Sequence, residues 1–383
     1  MNLDEFLTLR EADLPAVMAA VDRRFGLGDE HIVLAVGSLV EGFGNSKSDL
    51  DLLLIGPDRP GAEAGTVTVV VGRCLVDVRV LPVDDACALL DRFDSWSRGP
   101  WDLAHAAGFS IEERTLLHRF QHGQRLYEGN QGVIDRRFPS VSSLARLKLH
   151  VARQHARTIQ VDMVGSRDAG DHRTVAFAAQ ELLGQAVDAL VAAYGLTNTL
   201  AKWRSRLLDR LPRDWEDPLA PRPSDMPPGH VVWHLHRAPQ APDEASVLRH
   251  AFGISTFARA AFAWAESVLL GWPAGAAVTS WQHGRVDDDA RTLPLLDFDV
   301  DFAPTPDGAL LARLNEFDSG LELSSADFAL ALLFDGTTTE SEAALAVYGA
   351  GGDRDAVTRL VARMHDARLS VASDATTVLR AAR

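Results

Sequence analysis

Two buried-strand patterns joined by a glycine-rich stretch constrain the fold of this chain more than any other feature. Residues 31–36 form the first apolar run and residues 49–55 the second, and both have the length and branched composition of buried strands. Gly37 and Ser38 follow the first run directly. A glycine there lets the backbone approach a ligand, and the free N–H groups of the next turn can hold a phosphate. The sequence therefore predicts a strand, a glycine-rich turn with a short helix, and a second strand.

Acidic residues alternate with apolar residues on the second strand and on a later one. Asp49 and Asp51 are two residues apart, so both carboxylates project from one face of the strand while leucines project from the other. A hairpin is predicted over 66–71 and 74–81, and alternation with valines puts Asp77 on the polar face of its second strand. Carboxylates on a rigid face suit Mg²⁺. Three of them could hold two ions, one activating an incoming hydroxyl and the other neutralising a leaving pyrophosphate.

This arrangement resembles the nucleotidyltransferase superfamily of DNA polymerase β, and is closest in style to the aminoglycoside nucleotidyltransferases. The resemblance covers about residues 30–81 and includes the family's usual glycine at Gly42. The nucleotide-binding residues that it implies are Gly37 and Ser38, which would contact the β- and γ-phosphates, and Ser48. The metal ligands that it implies are Asp49, Asp51 and Asp77, with Asp77 as the third ligand or as the general base.

The resemblance implies an enzyme that uses Mg²⁺, as two ions, and a nucleoside triphosphate as donor. It would move a nucleoside monophosphate, most simply AMP from ATP, to a hydroxyl or similar group of a small molecule or a peptide, and release pyrophosphate. An aminoglycoside acceptor suits the acidic composition, because carboxylates attract a polycation. The alternatives are a non-catalytic scaffold that binds nucleotide or peptide, and nucleotidylation of an RNA end or a protein. A homodimer is a further expectation by analogy alone.

Long helical patterns begin near residue 141, and this region resembles the substrate-side domain of the aminoglycoside group. A segment that follows the longest apolar stripe contains Lys202, which could reach a triphosphate as a point charge or be an ordinary surface lysine. Three polar residues lie opposite that stripe at i, i+4 and i+7, where they could line an acceptor pocket or form a solvated helix face. They are Glu181, Gln185 and Asp188.

The C-terminal part of the chain predicts two strands, a short third strand and three helices, an order that suggests a winged-helix-like module. The turn that contains Asp335 and Gly336 resembles one in the winged-helix peptide-binding domain of peptide natural-product pathways. That resemblance implies that a leader peptide binds by strand addition along residues 310–323. A plain accessory domain is the alternative.

Two further clusters carry chemistry-bearing side chains. Asp297, Asp299 and Asp301 alternate on a strand pattern, and we interpret them as a solvated strand face rather than a calcium site, because no glycine-rich turn precedes them. His230, His234 and His236 fall in a proline-rich loop region over 212–242. Their spacing fits no pair of helical metal ligands, so we interpret them as structural histidines on a strand-like segment rather than zinc ligands.

Composition excludes several functions. The chain has 38 Lys+Arg against 53 Asp+Glu and a formal charge of -15, which disfavours general nucleic-acid binding because it repels a phosphate backbone. No stretch approaches the roughly 18 uninterrupted apolar residues of a membrane span, and the first residues lack a signal-peptide pattern. We therefore expect a cytoplasmic protein with no membrane partner. Cys74 and Cys87 are too few for a disulfide framework.

Taken together, the patterns predict an α+β protein with three domains. Residues 1–140 would form a small mixed-sheet nucleotidyltransferase domain, and residues 141–290 a helical substrate-side domain. Residues 291–383 would form the winged-helix-like peptide-binding or accessory domain.

Overall fold

A computed structural model describes most of the chain. The described residues are 1–57, 65–99, 108–129, 138–212, 228–237, 239, 243–272, 291–349 and 352–371. The chain divides into two compact units. Unit 1 comprises Met1–Leu144 and Thr197–Trp203, and unit 2 comprises Ala145–Leu196 and Arg204–Arg383. Helices and two small sheets are both present, which confirms the predicted α+β class.

Unit 1 contains a five-stranded mixed sheet. Its strands are β1 (Ile32–Val36), β2 (Leu50–Gly56), β3 (Thr66–Val71), β4 (Cys74–Pro82) and β5 (Gln124–Glu128). Their order is β3-β4-β2-β1-β5, with β2 and β4 parallel and the other pairs antiparallel. The first four strands are those that the sequence predicts. The fifth was missed because its polar, half-exposed side chains give no alternating apolar signal.

Four helices lie in the described residues of this unit, and polar side chains cap the starts of all but α3. They are α1 (Leu3–Leu9), α2 (Leu14–Phe25), α3 (Val83–Arg98) and α4 (Ile111–His122). Asn2 and Ser110 form capping boxes at the starts of α1 and α4. Phe6 on α1 and Val21 on α2 belong to the same buried cluster as Leu52 on β2. Since side chains alternate along a strand, this packing leaves the opposite face of β2 to Asp51.

The segment after β1 differs from the prediction of a short helix. Residues 37–42 form turns, and the backbone N–H of Glu41 donates a hydrogen bond of 3.2 Å to the Gly37 carbonyl oxygen. Gly37 and Gly42 have φ angles of 80° and 74°, in the left-handed region that only glycine enters readily. These two positive φ angles prevent the turn from continuing as a helix.

Unit 2 combines long helices with a three-stranded antiparallel sheet. Its N-terminal helices are α5 (Val141–Asp168), which belongs to this unit from Ala145 onward, α6 (His172–Ala193), α7 (Arg204–Leu208), α8 (Pro228–Leu235) and α9 (Glu244–Leu270). They are followed by β6 (Val300–Thr305), β7 (Gly308–Arg313), β8 (Leu321–Ser324), α10 (Ser325–Ala331), α11 (Glu340–Tyr348) and α12 (Arg354–Asp366). Three strands followed by three helices is the predicted order for the C-terminal segment. Its assignment as a winged-helix module stays a prediction.

One hydrophobic core runs through these helices and the small sheet. Leu182 on α6 and Phe257 on α9 belong to the same buried cluster as Phe302 on β6 and Phe328 on α10. Phe302 and Phe328 are in edge contact at 5.1 Å between ring centroids. The predicted domain boundary at 290 lies outside the described residues.

Helix α6 has the length and hydropathy of a membrane span, unlike any other described helix. Its most apolar window has a mean hydropathy of 1.3, and 67% of that window is buried inside the protein. This burial is typical of a core helix.

Strand β8 lies at an edge of its sheet, where the sequence predicts that a peptide adds as a strand. The Glu322 carbonyl oxygen there accepts a hydrogen bond of 2.7 Å from the Arg363 guanidinium on α12. Peptide binding at this edge stays a prediction.

The interpretation of the Asp297–Asp301 segment as a solvated strand face was wrong. Asp301 is 0% exposed and Asp297 is 5% exposed. Asp301 forms ion pairs with Arg153 at 2.6 Å and Arg157 at 2.7 Å, both on α5. Neighbouring acids are paired in the same way, Asp297 with Arg167 and Asp299 with Arg313. The strand pattern could not reveal the burial of Asp301 because its two arginine partners on α5 lie more than 140 residues away in sequence.

The histidine-rich segment is also different from its prediction. His230 and His234 lie on helix α8 rather than on a strand-like segment. Residues 213–227, the preceding part of the proline-rich tract, lie outside the described residues.

Replacing Asp301 with alanine is expected to lower the free energy of unfolding by about 3–5 kcal/mol, because the buried Arg153 guanidinium and the half-buried Arg157 guanidinium each lose an ion-pair partner. Urea unfolding of the full chain measures this loss. Asp299→Ala is the matched control, since Asp299 belongs to the same motif but is more exposed and should cost about 1 kcal/mol or less. Equal losses in the two variants would contradict the role assigned to burial.

Candidate active site

Parallel pairing of β2 with β4 places two acids side by side. Asp51 on β2 and Asp77 on β4 are register partners, so their side chains leave the same face of the sheet. Asp77 also accepts a hydrogen bond of 2.6 Å from the Thr68 hydroxyl on β3. Asp49 lies one residue before β2 and is exposed. The strands therefore bring together two acids, Asp51 and Asp77, that are distant in sequence.

The Gly37 backbone packs directly against one of these acids. A Cβ atom built on Gly37 would lie 2.5 Å from Asp51 Oδ2, so no side chain fits there without moving the carboxylate. The positive φ angle of Gly37 independently disfavours any other residue. The following loop is closed by the Ser38 carbonyl, which accepts N–H bonds from Phe43 at 2.8 Å and Gly44 at 2.9 Å. This geometry keeps the turn close to Asp51.

A cavity of about 420 Å³ opens beside this turn, within unit 1. The predicted residues that line it are Gly37, Ser38, Ser48, Asp49, Asp51 and Lys202. Asp77 is not part of its lining, although it neighbours Asp51 across the sheet. Other lining side chains were missed by the sequence reasoning, among them Glu41, Lys47, Thr115, His118, Arg119 and Asn198. No local motif marks these residues, because most of them reach the cavity from α4 or from the segment 197–203.

The segment 197–203 belongs to unit 1 although about 50 residues of unit 2 precede it. Trp203 stacks on Phe43 of the glycine-rich loop, with ring centroids 5.2 Å apart. Lys202 Nζ lies 5.1 Å from the centroid of the Trp203 ring. Lys202 lines the cavity, and its contact with a triphosphate stays a prediction.

A buried polar network attaches the segment to the site. Asn198 Nδ2 donates to both carboxylate oxygens of Glu41, at 2.9 and 3.0 Å. His118 Nε2 lies 3.1 Å from Glu41 Oε1, an ion-pair distance with poor hydrogen-bond direction. The Thr197 hydroxyl contacts His118 Nδ1 and His122 Nε2, each at 2.9 Å. Glu41 is therefore held between α4 and the segment 197–203.

Burial is the largest influence on the pKa of the Glu41 carboxyl and acts to raise it. The interactions with His118 and Asn198 outweigh burial, so the pKa lies below its ordinary value. The pKa of the Asp51 carboxyl, by contrast, lies above its ordinary value, and burial is the largest cause of that rise. Arg119 opposes that rise, while the neighbouring acids Asp77 and Asp49 add to it. The carboxylates around Asp51 thus form a concentration of negative charge.

Arg119 provides positive charge close to this cluster. Burial lowers the pKa of its guanidinium, and the nearby Asp51 carboxylate acts to raise it. Even a lowered arginine pKa leaves the group charged at neutral pH. The cavity therefore presents carboxylates together with Arg119, Lys47 and Lys202.

The residues present fit Mg²⁺ in part. Among the described residues, no three His, Cys, Asp or Glu side chains are grouped closely enough to form a complete metal site. Asp49 and Asp51 both line the cavity, and Mg²⁺ commonly binds one or two carboxylates together with substrate phosphates. Burial raises the pKa of Asp51, and repulsion from Asp77 and Asp49 adds to that rise; a divalent cation would relieve this repulsion.

The predicted acceptor residues lie elsewhere, on α6 of unit 2. Glu181 is exposed and Gln185 is half-buried. The Asp188 carboxylate is paired with Lys148 at 3.2 Å and with Arg204 at 2.5 Å. None of the three lines the cavity of unit 1, and their role with an acceptor stays a prediction.

No protein-family model and no curated protein matches the chain. Among solved structures, the chain is similar to a nucleotidyltransferase-like protein from Exiguobacterium sibiricum, with 13% sequence identity and a TM-score of 0.33. That match covers 67% of this chain and 78% of the other protein.

Replacing Glu41 with glutamine is expected to lower the free energy of unfolding by about 1–3 kcal/mol at pH 7, because Asn198 and His118 lose a charged acceptor. This stabilisation is present above the ordinary carboxyl pKa of 4.5 and is lost as the pH falls through the lower folded value. Urea unfolding at a series of pH values below 7 measures the difference between wild type and variant, which should shrink as the pH falls below 4.5. The exposed Glu30→Gln serves as the control, and a difference that did not shrink in acid would contradict the account.

Proposed function

We propose that this protein is a Mg²⁺-dependent nucleotidyltransferase. It would transfer a nucleoside monophosphate, most simply AMP from ATP, to a hydroxyl or similar group of a small molecule or peptide. The observation that carries the proposal is the contact of the Gly37 turn with Asp51, beside Asp77 on the parallel neighbouring strand. This reaction needs two parts: a backbone turn that approaches the phosphates, and a set of carboxylates that holds a cation.

The triphosphate would lie against the Gly37–Ser38 turn, where backbone N–H groups are available to anionic oxygens. Asp49 and Asp51 would hold Mg²⁺, which when bound neutralises phosphate charge. Lys202 and Arg119 would attract the β- and γ-phosphates, because both line the cavity and both carry positive charge. This set orients the donor without any covalent contribution from the protein.

The reaction is an in-line displacement at the α-phosphorus. The acceptor oxygen forms a new P–O bond as the bond between the α-phosphorus and the bridging oxygen breaks, and pyrophosphate leaves with that electron pair. The acceptor proton passes to a carboxylate, for which Asp77 is the proposed group because it neighbours Asp51 on the polar face of the sheet. The Thr68 hydroxyl, 2.6 Å from Asp77 Oδ1, orients that carboxyl.

Nucleotide binding tests the proposed site. Wild-type protein should bind one of ATP, GTP, CTP or UTP in the presence of Mg²⁺ in calorimetric titrations, and Asp49→Asn combined with Asp51→Asn should weaken that binding at least tenfold. The reason is that neutral amides are poor partners for Mg²⁺. Asp4→Asn, a change of an exposed acid on α1, controls for net charge. Equal binding by wild type and the double variant would refute the site.

Replacing Asp77 tests whether the protein is an enzyme or a binding scaffold. An asparagine can still accept the Thr68 hydrogen bond but cannot accept a proton, so Asp77→Asn should retain nucleotide binding and lower transfer at least about a hundredfold. Transfer is measured with labelled nucleotide against aminocyclitol, peptide and RNA acceptors. Thr68→Val, which removes only the orienting hydroxyl, should have a smaller effect. Unchanged transfer in Asp77→Asn would exclude its role as the base.

A further inference from the structure

A second cavity, of about 360 Å³, lies within unit 2 between the end of α8 and the first half of α9. Four of its lining residues are Ser246, Arg249, His250 and Gly253. They occur at i, i+3, i+4 and i+7, so they share one face of α9. His234 and Arg237 line the cavity from the α8 side. A volume of this size accommodates a small ligand.

Every ionisable side chain that lines this cavity in the described part of the chain is basic. The set consists of His234, Arg237, Arg249 and His250. The chain as a whole has a formal charge of -15, so this grouping is opposite to the general composition. Asp243 lies nearby, where it caps α9 by accepting hydrogen bonds from Ser246 and also attracts the Arg249 guanidinium. Guanidinium groups bind oxyanions through paired, charge-assisted hydrogen bonds.

The wall formed by His250 is held in place by Gln180 of α6. Gln180 Nε2 lies 3.0 Å from His250 Nε2 and donates at 3.2 Å to the Leu235 carbonyl oxygen. One amide thus connects the last residue of α8 with the lining face of α9. A site whose walls are fixed before binding loses less entropy when a ligand enters.

Gly253 leaves open space in the cavity because it has no side chain. It lies in the interior of a 27-residue helix, where glycine is less favourable than alanine. A Cβ atom built on Gly253 would meet none of the described heavy atoms within 4 Å. Close packing therefore does not require the glycine, whereas a large side chain there would extend into the space that the cavity occupies.

We propose that this cavity binds the phosphate or carboxylate group of a small molecule, at a site separate from the nucleotide cavity of unit 1. Arg237 and Arg249 would bind the oxyanion, and Gly253 would leave room for the rest of the ligand. The proposal is independent of nucleotidyl transfer, because it involves none of the residues assigned to that reaction.

The test uses the full chain and two probes, inorganic phosphate and citrate, each titrated by calorimetry at pH 7 and low ionic strength. Wild-type protein should bind at least one probe, and the comparison of the two distinguishes a phosphate from a carboxylate ligand. Arg237→Gln combined with Arg249→Gln should weaken binding at least tenfold. Circular dichroism confirms that each variant is folded.

Variants of Gly253 distinguish binding inside a defined cavity from non-specific attraction to positive charge. Gly253→Leu changes no charge and should abolish binding by filling the space, whereas Gly253→Ala should retain it and raise the thermal midpoint slightly. Loss in Gly253→Leu with retention in Gly253→Ala supports the site. Absence of binding by wild type, or binding unchanged in the double arginine variant or in Gly253→Leu, would overturn the proposal.

Discussion

The parallel pairing of β2 with β4 is the constraint on which the site of this protein depends. That pairing makes Asp51 and Asp77 direct neighbours, and the strand alternation then turns both away from the core that Leu52 and Val78 enter. An antiparallel neighbour in a different register would have separated the two acids. Gly37 completes the arrangement, because its missing side chain leaves the space that the Asp51 carboxylate occupies.

The buried polar network around Glu41 also shapes the site. Glu41 lies in the glycine-rich turn, and its partners come from α4 and from the distant segment 197–203. A buried carboxylate needs such partners, since an unpaired one would be costly to bury. The same contacts bring Lys202 and Trp203 to the cavity. The network that satisfies Glu41 therefore also assembles one wall of the site.

Unit 2 uses buried charge differently. Arg153 and Arg157 on α5 pair with Asp301 on β6, which attaches the small sheet to the helices around a shared apolar core. Replacing one partner of such a group is more damaging than its net contribution to stability suggests, because the remaining charge stays buried. The ion-paired group of Arg153, Arg157 and Asp301 thus specifies which surfaces of the helices and the small sheet pack together.

The sequence by itself determined the strands β1 to β4, the Gly37 turn and the common face of Asp51 and Asp77. Alternation, glycine placement and short spacing are local signals, and local signals survive in a single sequence. Tertiary structure decided the rest. It buried Asp301 among arginines from another helix, placed His234 on a helix, and brought His118, Arg119 and Asn198 to the cavity. The burial of Asp301 and the assembly of the cavity depend on side chains that meet across 79 to 157 residues of chain, and no periodicity within one segment encodes such a meeting.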